Sequence, residues 1–416
     1  MITVNGKTYN KPTKPVVVIC FDGCDPSYLA DASVRGISPT ISAMADTGFF
    51  ARGLSAMPSF TNPNNVSIVC GAPPAVHGIS GNYWYDRETG REVMMVDEGP
   101  LSAPTVLAEM SKSGVKVAAI TAKDKLRKAL AVGLIGNGNG GIAFSAEKAD
   151  QCTPEEHGIT AADAMGNDAI PDQYSANLSL FVLDAGLRLL AAGRAELLYL
   201  SLSDFVQHAY APGAPESDAF IKAVDDRVAR LIEAGATVGI VADHGMTDMS
   251  LADGTPNILY LGDILDAHFG KGRIKVICPI TDPFVRHHGA LGGFVRIHVL
   301  DDLDHKEVRD FLASRPGIHS ALLRDDACRL LDLPREREGD VTVIATKGVA
   351  LGTREGEHQL DQLNGSRLRS HGSFAEQDIP FIVSRPLRPE FHAKAASGPI
   401  HNYDIFHFTL SGVQVE

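Results

Sequence analysis

Two acid–imidazole pairs in this 416-residue chain are spaced to hold metal ions. Asp204 and His208 stand four residues apart in LSLSDFVQHAY, and Asp243 and His244 are adjacent in VGIVADHGM. A helix beginning near Asp204 would return His208 to the same face, bringing carboxylate and imidazole onto one cation. Asp243 and His244 would point apart in an extended chain, so the backbone must turn there, and Gly245 permits a turn. A single pair of this kind reads as an ordinary strand-end loop. Here each pair follows an apolar run, AELLYLSLS or TVGIVADHG, that reads as a buried strand, and in an α/β sheet ligands gather at such strand ends.

Other segments extend the constellation. PVVVICFDGCDP runs from an apolar strand into Asp22, which adds a third carboxylate at the same edge. RSHGSFAEQDIPFIVS sets His371 in a small Ser-His-Gly-Ser loop, a context expected to be flexible and to expose the imidazole. The donors Asp22, Asp204, His208, Asp243, His244 and His371 are all nitrogen or oxygen, which suits a pair of zinc ions with open positions better than a structural site. In SFTNPNNVSIVC, Thr61 lies just ahead of Pro63 and reads as a helix N-cap. The same place would make its hydroxyl a nucleophile, because a helix N-terminus and a nearby metal both favour negative charge on the oxygen.

The segments FDGCDP, FTNPNNVSIVCGAPPAVHGISGNYWYD, SLSDFVQH, VADHGM and SHGS, in that order, span residues 16 to about 374. Together they resemble the nucleotide pyrophosphatase/phosphodiesterase branch of the alkaline phosphatase superfamily. The resemblance implies two Zn2+ ions per chain, one held by Asp22, Thr61, Asp243 and His244 and the other by Asp204, His208 and His371. It also implies Thr61 as catalytic nucleophile, and Asn82 as the group that stabilises the phosphoryl oxygens. Within the branch, the likeness is to enzymes that split a small carboxylated phosphonate into phosphate and acetate. There a lysine pair grips the substrate carboxylate, which maps onto Lys123 and Lys125 in VKVAAITAKDKLRKAL. If the strand continues through them, residues two apart share a face and both ammonium groups enter one pocket. Otherwise they are a solvated charge run opening a helix.

The elements that must position these residues alternate between strand and helix, which implies a mostly parallel sheet covered on both faces. Strands are expected at 15–21, 49–56, 115–121, 195–202, 237–242 and 379–384, and helices at 104–113, 178–192 and 217–234. MITVNGKTYN reads as a hairpin turning at Asn5-Gly6. Between 271 and 345 the texture changes to β-β-α-β, an α+β insertion. The expected fold is therefore an alkaline-phosphatase-like three-layer α/β sandwich, a core of 1–270 and 346–416 with a cap at 271–345. Arg286, His287 and His288, at the entry to the cap, could contact the carboxylate end of a substrate. His77 is expected to brace the nucleophile's segment, and His358 is a weak alternative ligand.

Composition sets bounds. With 38 basic against 51 acidic residues the formal charge is −13, and no basic stripe is present, which argues against nucleic acid as a partner. An anionic substrate then needs positive charge concentrated at its site, which two metals and a lysine pair would supply. Six cysteines without a CxxC spacing read as free thiols of a reducing compartment. No basic-then-apolar leader opens the sequence and no apolar run approaches a membrane span, so a cytoplasmic, soluble protein is expected, and a homodimer is allowed. The competing functions are a phosphodiesterase or nucleotide pyrophosphatase, which would need an apolar slot for a base, an arylsulfatase-like hydrolase, for which no modified Cys or Ser aligns with Thr61, and a non-catalytic metal-binding protein.

Overall fold

The computed structural model describes residues 1–94, 101–282, 289–363 and 365–414. Its main sheet is formed by β1 (Val16–Cys20), β2 (Phe49–Leu54), β3 (Val117–Thr121), β4 (Ile142–Ser145), β5 (Leu197–Ser201), β6 (Thr237–Val241) and, late in the chain, Asp378–Val383. The spatial order is β2, Asp378–Val383, β6, β1, β5, β3, β4. The five strands from β6 to β4 pair in parallel, while Asp378–Val383 runs antiparallel to both β6 and β2. β1, β3, β5 and β6 are buried along their whole length, as the unbroken Val, Ile and Leu runs require of a sheet covered on both faces.

Register is what matters for the site. Cys20 pairs with Ser201 and with Val241, and Thr121 pairs with Ser201. Four strands therefore end level, and the residues that follow them, Asp22, Lys123, Asp204 and Asp243, emerge at one edge. Strand and helix positions agree with the sequence to within two residues at the six expected strands. The helix read at 217–234 spans Pro215–Glu233 and buries Phe220, Ile221, Val224, Val228 and Leu231 against the sheet. Its buried Asp225 accepts the Thr40 and Ile41 backbone N–H groups at 3.2 and 2.7 Å, capping the helix Pro39–Thr47, whose own Ser38 makes no cap bond. The opening hairpin forms as read, with Asn5 and Gly6 both at positive φ.

A second sheet follows, of four antiparallel strands: β7 (Ile274–Ile277), β8 (Phe294–Val299), β9 (Ile318–Leu323) and β10 (Val341–Ala345), in the order β7, β8, β10, β9. It has its own apolar cluster, to which Met57 and Phe60 contribute from the segment leading into Thr61. The sequence reading omitted β9 and the helix Arg324–Leu331. β9 is only partly buried, and the helix is short and charged, so neither carries a strong apolar period. No helix among the described residues is long and apolar enough to cross a membrane, and all six cysteines are free thiols.

Candidate active site

The expected ligands form two groups, Asp22 with Asp243 and His244, and Asp204 with His208 and His371, each with its donor atoms within 4.8 Å of one another and every side chain buried. The imidazoles are set by a common device. His208 Nδ1 faces the Arg369 carbonyl at 2.6 Å, His244 Nδ1 the Gly245 carbonyl at 2.8 Å, and His371 Nδ1 the Ser59 carbonyl at 2.7 Å. A carbonyl only accepts, so each Nδ1 carries the proton and each Nε2 is left with a lone pair. Those lone pairs point at carboxylates: His208 Nε2 lies 2.8 Å from Asp204 Oδ2, and His244 Nε2 lies 3.3 Å from Asp22 Oδ1. Acceptor facing acceptor at such distances is relieved by a shared proton or by a bound cation, and a divalent ion would serve both groups. The buried Asp22 Oδ1 makes no hydrogen bond, which fits the same need.

Electrostatics agrees. Burial, then repulsion from Asp204 and Asp243, pushes the Asp22 carboxyl well above its ordinary range, and burial raises Asp243 as well. Burial, with His244 and His208 nearby, holds the His371 imidazole well below its usual value. A divalent cation in each group would reverse the cost of assembling these carboxylates, and the all-N/O set with neutral imidazoles fits zinc.

Three local expectations are corrected. Asp204 does precede a helix, Phe205–Ala209. Thr61, however, is not an N-cap: Phe60 holds that position, and the helix Thr61–Cys70 begins with Thr61 itself. Its hydroxyl is left facing His244 Nε2 at 3.1 Å. Second, His371 is not on a flexible, exposing loop; it is 3% exposed and stacked on His244 with ring centroids 3.5 Å apart. The neighbouring Gly372, at φ 123°, has no room for a side chain, since a Cβ would lie 2.4 Å from Phe60. The expected turn is present, since the chain bends at Asp243 and both Asp243 and His244 join one group; Gly245 beside it is closely approached, a Cβ lying 3.1 Å from Asp25 Oδ2, and its N–H donates to the Glu376 carbonyl at 2.7 Å. Third, the strand does not run through the lysines. β3 ends at Thr121, Lys123 is the N-cap of the helix Asp124–Ala131, and Lys125 lies in its first turn.

Both lysines nonetheless line one cleft with Thr61, Asn82, Asp204 and His371. Asp124 between them turns away, paired with Arg127 at 2.7 Å. Lys125 meets Asp282 at 2.9 Å, which leaves further N–H groups of its ammonium for another acceptor. Asn82 Nδ2 donates to the Ile280 carbonyl at 3.3 Å, with its second N–H left over. His77 is buried, its Nε2 at 2.8 Å from Ser67 in the Thr61 helix, and it lies in neither ligand group. His358 contacts Thr353 and Gly289, away from the ligands. Arg286, His287 and His288 lie outside the described residues.

Sequence reasoning missed Asn65, whose fully buried amide donates to Asp243 Oδ2 at 3.1 Å and to the Thr61 carbonyl at 3.0 Å while accepting from Tyr199 and Ser201. Its place four residues after Thr61 on a helix was the available signal. Ser203, buried in the cleft with an unpartnered hydroxyl, and Asp282 carried none.

The family model for type I phosphodiesterase/nucleotide pyrophosphatase matches residues 16–373. The chain belongs to that family. A phosphonoacetate hydrolase from Sinorhizobium meliloti 1021, solved in complex with phosphonoformate, is 43% identical with a TM-score of 0.92, covering 99% of this chain and 98% of that one. Its complex with phosphonoacetate aligns equally well at 42% identity. Murine ectonucleotide pyrophosphatase/phosphodiesterase 5 shares the fold, at TM-score 0.62 and 15% identity over 97% of each chain. Among curated relatives, a pyrophosphatase/phosphodiesterase of Schizosaccharomyces pombe is 26% identical over 264 residues, 59% of this chain and 48% of the relative. An ectonucleotide pyrophosphatase/phosphodiesterase of Caenorhabditis elegans is 37% identical over 75 residues, 18% of this chain and 10% of its own length. The chain therefore spans about half or less of these two curated relatives. The fold is the alkaline-phosphatase-like α/β sandwich with a mixed, mostly parallel sheet.

Proposed function

We propose that this chain hydrolyses the carbon–phosphorus bond of phosphonoacetate to give phosphate and acetate, using Thr61 as nucleophile and two zinc ions. Residues 1–270 and 346–416 would form the hydrolase core and 271–345 the cap. Asp22, Asp243, His244 and Thr61 would hold one ion, and Asp204, His208 and His371 the other. The observation that carries the reading is Lys123 and Lys125 in one cleft with Thr61, in a chain 43% identical to a phosphonoacetate hydrolase.

Chemistry demands both features. Cleaving a C–P bond leaves an electron pair on carbon, a poor leaving group unless that charge is spread as it forms. When bound, the metals supply positive charge that favours ionised Thr61 and offsets charge on the phosphoryl group. The Thr61 oxygen attacks phosphorus while Asn82 donates to a phosphoryl oxygen. The C–P electron pair moves onto the acetate carbon and into its carboxylate as an enolate, held by the Lys123 and Lys125 ammonium groups. The carbon then takes a proton from solvent, and water cleaves the phosphothreonine, restoring Thr61.

The lysines distinguish this reading from a phosphodiesterase. Lys123→Ala and Lys125→Ala should each lower kcat as well as raise KM for phosphonoacetate, because the stabilisation grows as the bond breaks. An aryl phosphodiester, whose leaving group needs no such help, should lose far less. Equal loss on both substrates, or none on either, would make the phosphodiesterase reading the better one.

A further inference from the structure

We propose that Arg296 and Glu338, a buried ion pair in the second sheet, are positioning residues that set Asn82 for its role at the phosphoryl group. The inference rests on the reading of Asn82 as a donor to phosphoryl oxygen. Arg296 lies on β8 and Glu338 just ahead of β10, with side chains 1% and 0% exposed. Arg296 Nε donates to Glu338 Oε2 at 2.7 Å and Nη2 to Oε1 at 2.5 Å, a two-pronged pair that fixes the guanidinium plane. The same Nη2 donates to the Ser80 carbonyl at 2.9 Å and to the Ser80 hydroxyl at 3.1 Å. Ser80 is two residues from Asn82, in a stretch with no helix or strand of its own.

The loop that follows β7 grips this stretch at further points. The Asn82 backbone N–H donates to the Pro279 carbonyl at 2.7 Å, and Asn82 Nδ2 to the Ile280 carbonyl at 3.3 Å. Gly81 between them has no room for a Cβ, which would lie 2.7 Å from Pro279 and 3.3 Å from Arg296 Nη1. Ser80, Gly81 and Asn82 are thus held from the second sheet's side, while the helix that starts at Thr61 is tied through Asn65 to Tyr199 and Ser201 of the main sheet and through Phe60 to Phe294 of the second. A buried ion pair is weak evidence for stability, since apolar residues of like volume often serve as well. Its geometric effect here is specific: it fixes the distance between the cap and the segment that presents Asn82, and so the gap between Asn82 and Thr61.

The test uses the whole 416-residue chain loaded with zinc. Arg296→Met alone would leave Glu338 buried and unpaired, so the variant of choice is Arg296→Met with Glu338→Leu. Arg296→Lys, which keeps the charge but not the fork, is the second variant. Asn82→Ala should lower kcat about 100-fold, as loss of one such donor does. The paired replacement should lower kcat/KM for phosphonoacetate about tenfold and weaken binding of inorganic phosphate by up to about as much, because the donor acts on the phosphoryl oxygens of both. In the Asn82→Ala background it should cost nothing more, because its effect passes through the missing amide. Arg296→Lys should follow the same pattern. The inference is overturned if the pair's loss is undiminished in the Asn82→Ala background, or if kcat/KM and phosphate binding are unchanged while only the melting temperature moves. A silent Asn82→Ala would overturn the reading of Asn82 and the inference with it. Phosphate binding is independent of the leaving group, so it reads the Asn82 donor even should the C–P assignment fail.

Discussion

Replacing Asn65 with leucine, which has nearly the same shape, removes every hydrogen bond of a fully buried amide beneath the site. Tyr199 and Ser201, whose hydroxyls donate to Asn65 Oδ1 at 2.7 and 2.8 Å, lose their acceptor, and Asp243 Oδ2 loses a donor at 3.1 Å. Each orphaned buried hydroxyl costs about 1–3 kcal/mol and a bond to a carboxylate about 1.5–3 kcal/mol. Summed with allowance for relaxation, Asn65→Leu should destabilise the metal-free protein by roughly 3–6 kcal/mol. Asn65 also orients one carboxylate of the proposed first zinc site, so zinc affinity should fall about 10–100-fold. Urea denaturation of the metal-free protein reads the first effect, and zinc titration against a competing chelator reads the second. A variant within about 1 kcal/mol of the parent, with unaltered zinc affinity, would refute the reasoning that this amide ties Thr61 to Asp243.

Two further predictions concern Thr61 and His77. Thr61→Ala should leave the circular dichroism spectrum intact and at least one zinc bound, yet lose turnover; near-normal activity would remove Thr61 as nucleophile. His77 Nδ1 accepts the Ile79 N–H at 3.1 Å, and burial lowers the imidazole from 6.5 to about 3. Its folded value lies below the unfolded one, so its neutral form contributes full stability above about pH 6.5, and that contribution is lost as pH falls toward about 3. Metal-free protein should therefore lose up to about 1.4 kcal/mol more per pH unit between pH 6 and 4 than His77→Gln; parallel pH profiles would contradict this.

The strand ends were legible because β1, β3, β5 and β6 are continuous apolar runs, and the acid or lysine just past each run stands at the sheet edge whatever the surrounding loops do. Local cap chemistry was less legible. Thr61 reads as a cap from the proline after it, but Phe60 is wedged between Phe294 and His371, and the helix starts one residue earlier than a cap at Thr61 would require. His371 reads as a mobile surface residue because Ser and Gly flank it; the Ser59 carbonyl and the His244 ring that immobilise it come from distant parts of the chain. The lysine pair reached its cleft by a different backbone path from the one expected, an N-cap and a first helical turn in place of a strand. Asn65 and the Arg296–Glu338 pair act through contacts that only the folded topology creates.

Phosphate and acetate release from phosphonoacetate, measured beside an aryl phosphodiester with and without exhaustive chelation, tests the central claim most directly. The account predicts equal amounts of phosphate and acetate, a clear preference for phosphonoacetate, loss of activity on chelation and its return with about two zinc ions per chain. Turnover of the phosphodiester with none of the phosphonate, or phosphonoacetate cleavage that survives removal of all metal, would contradict it.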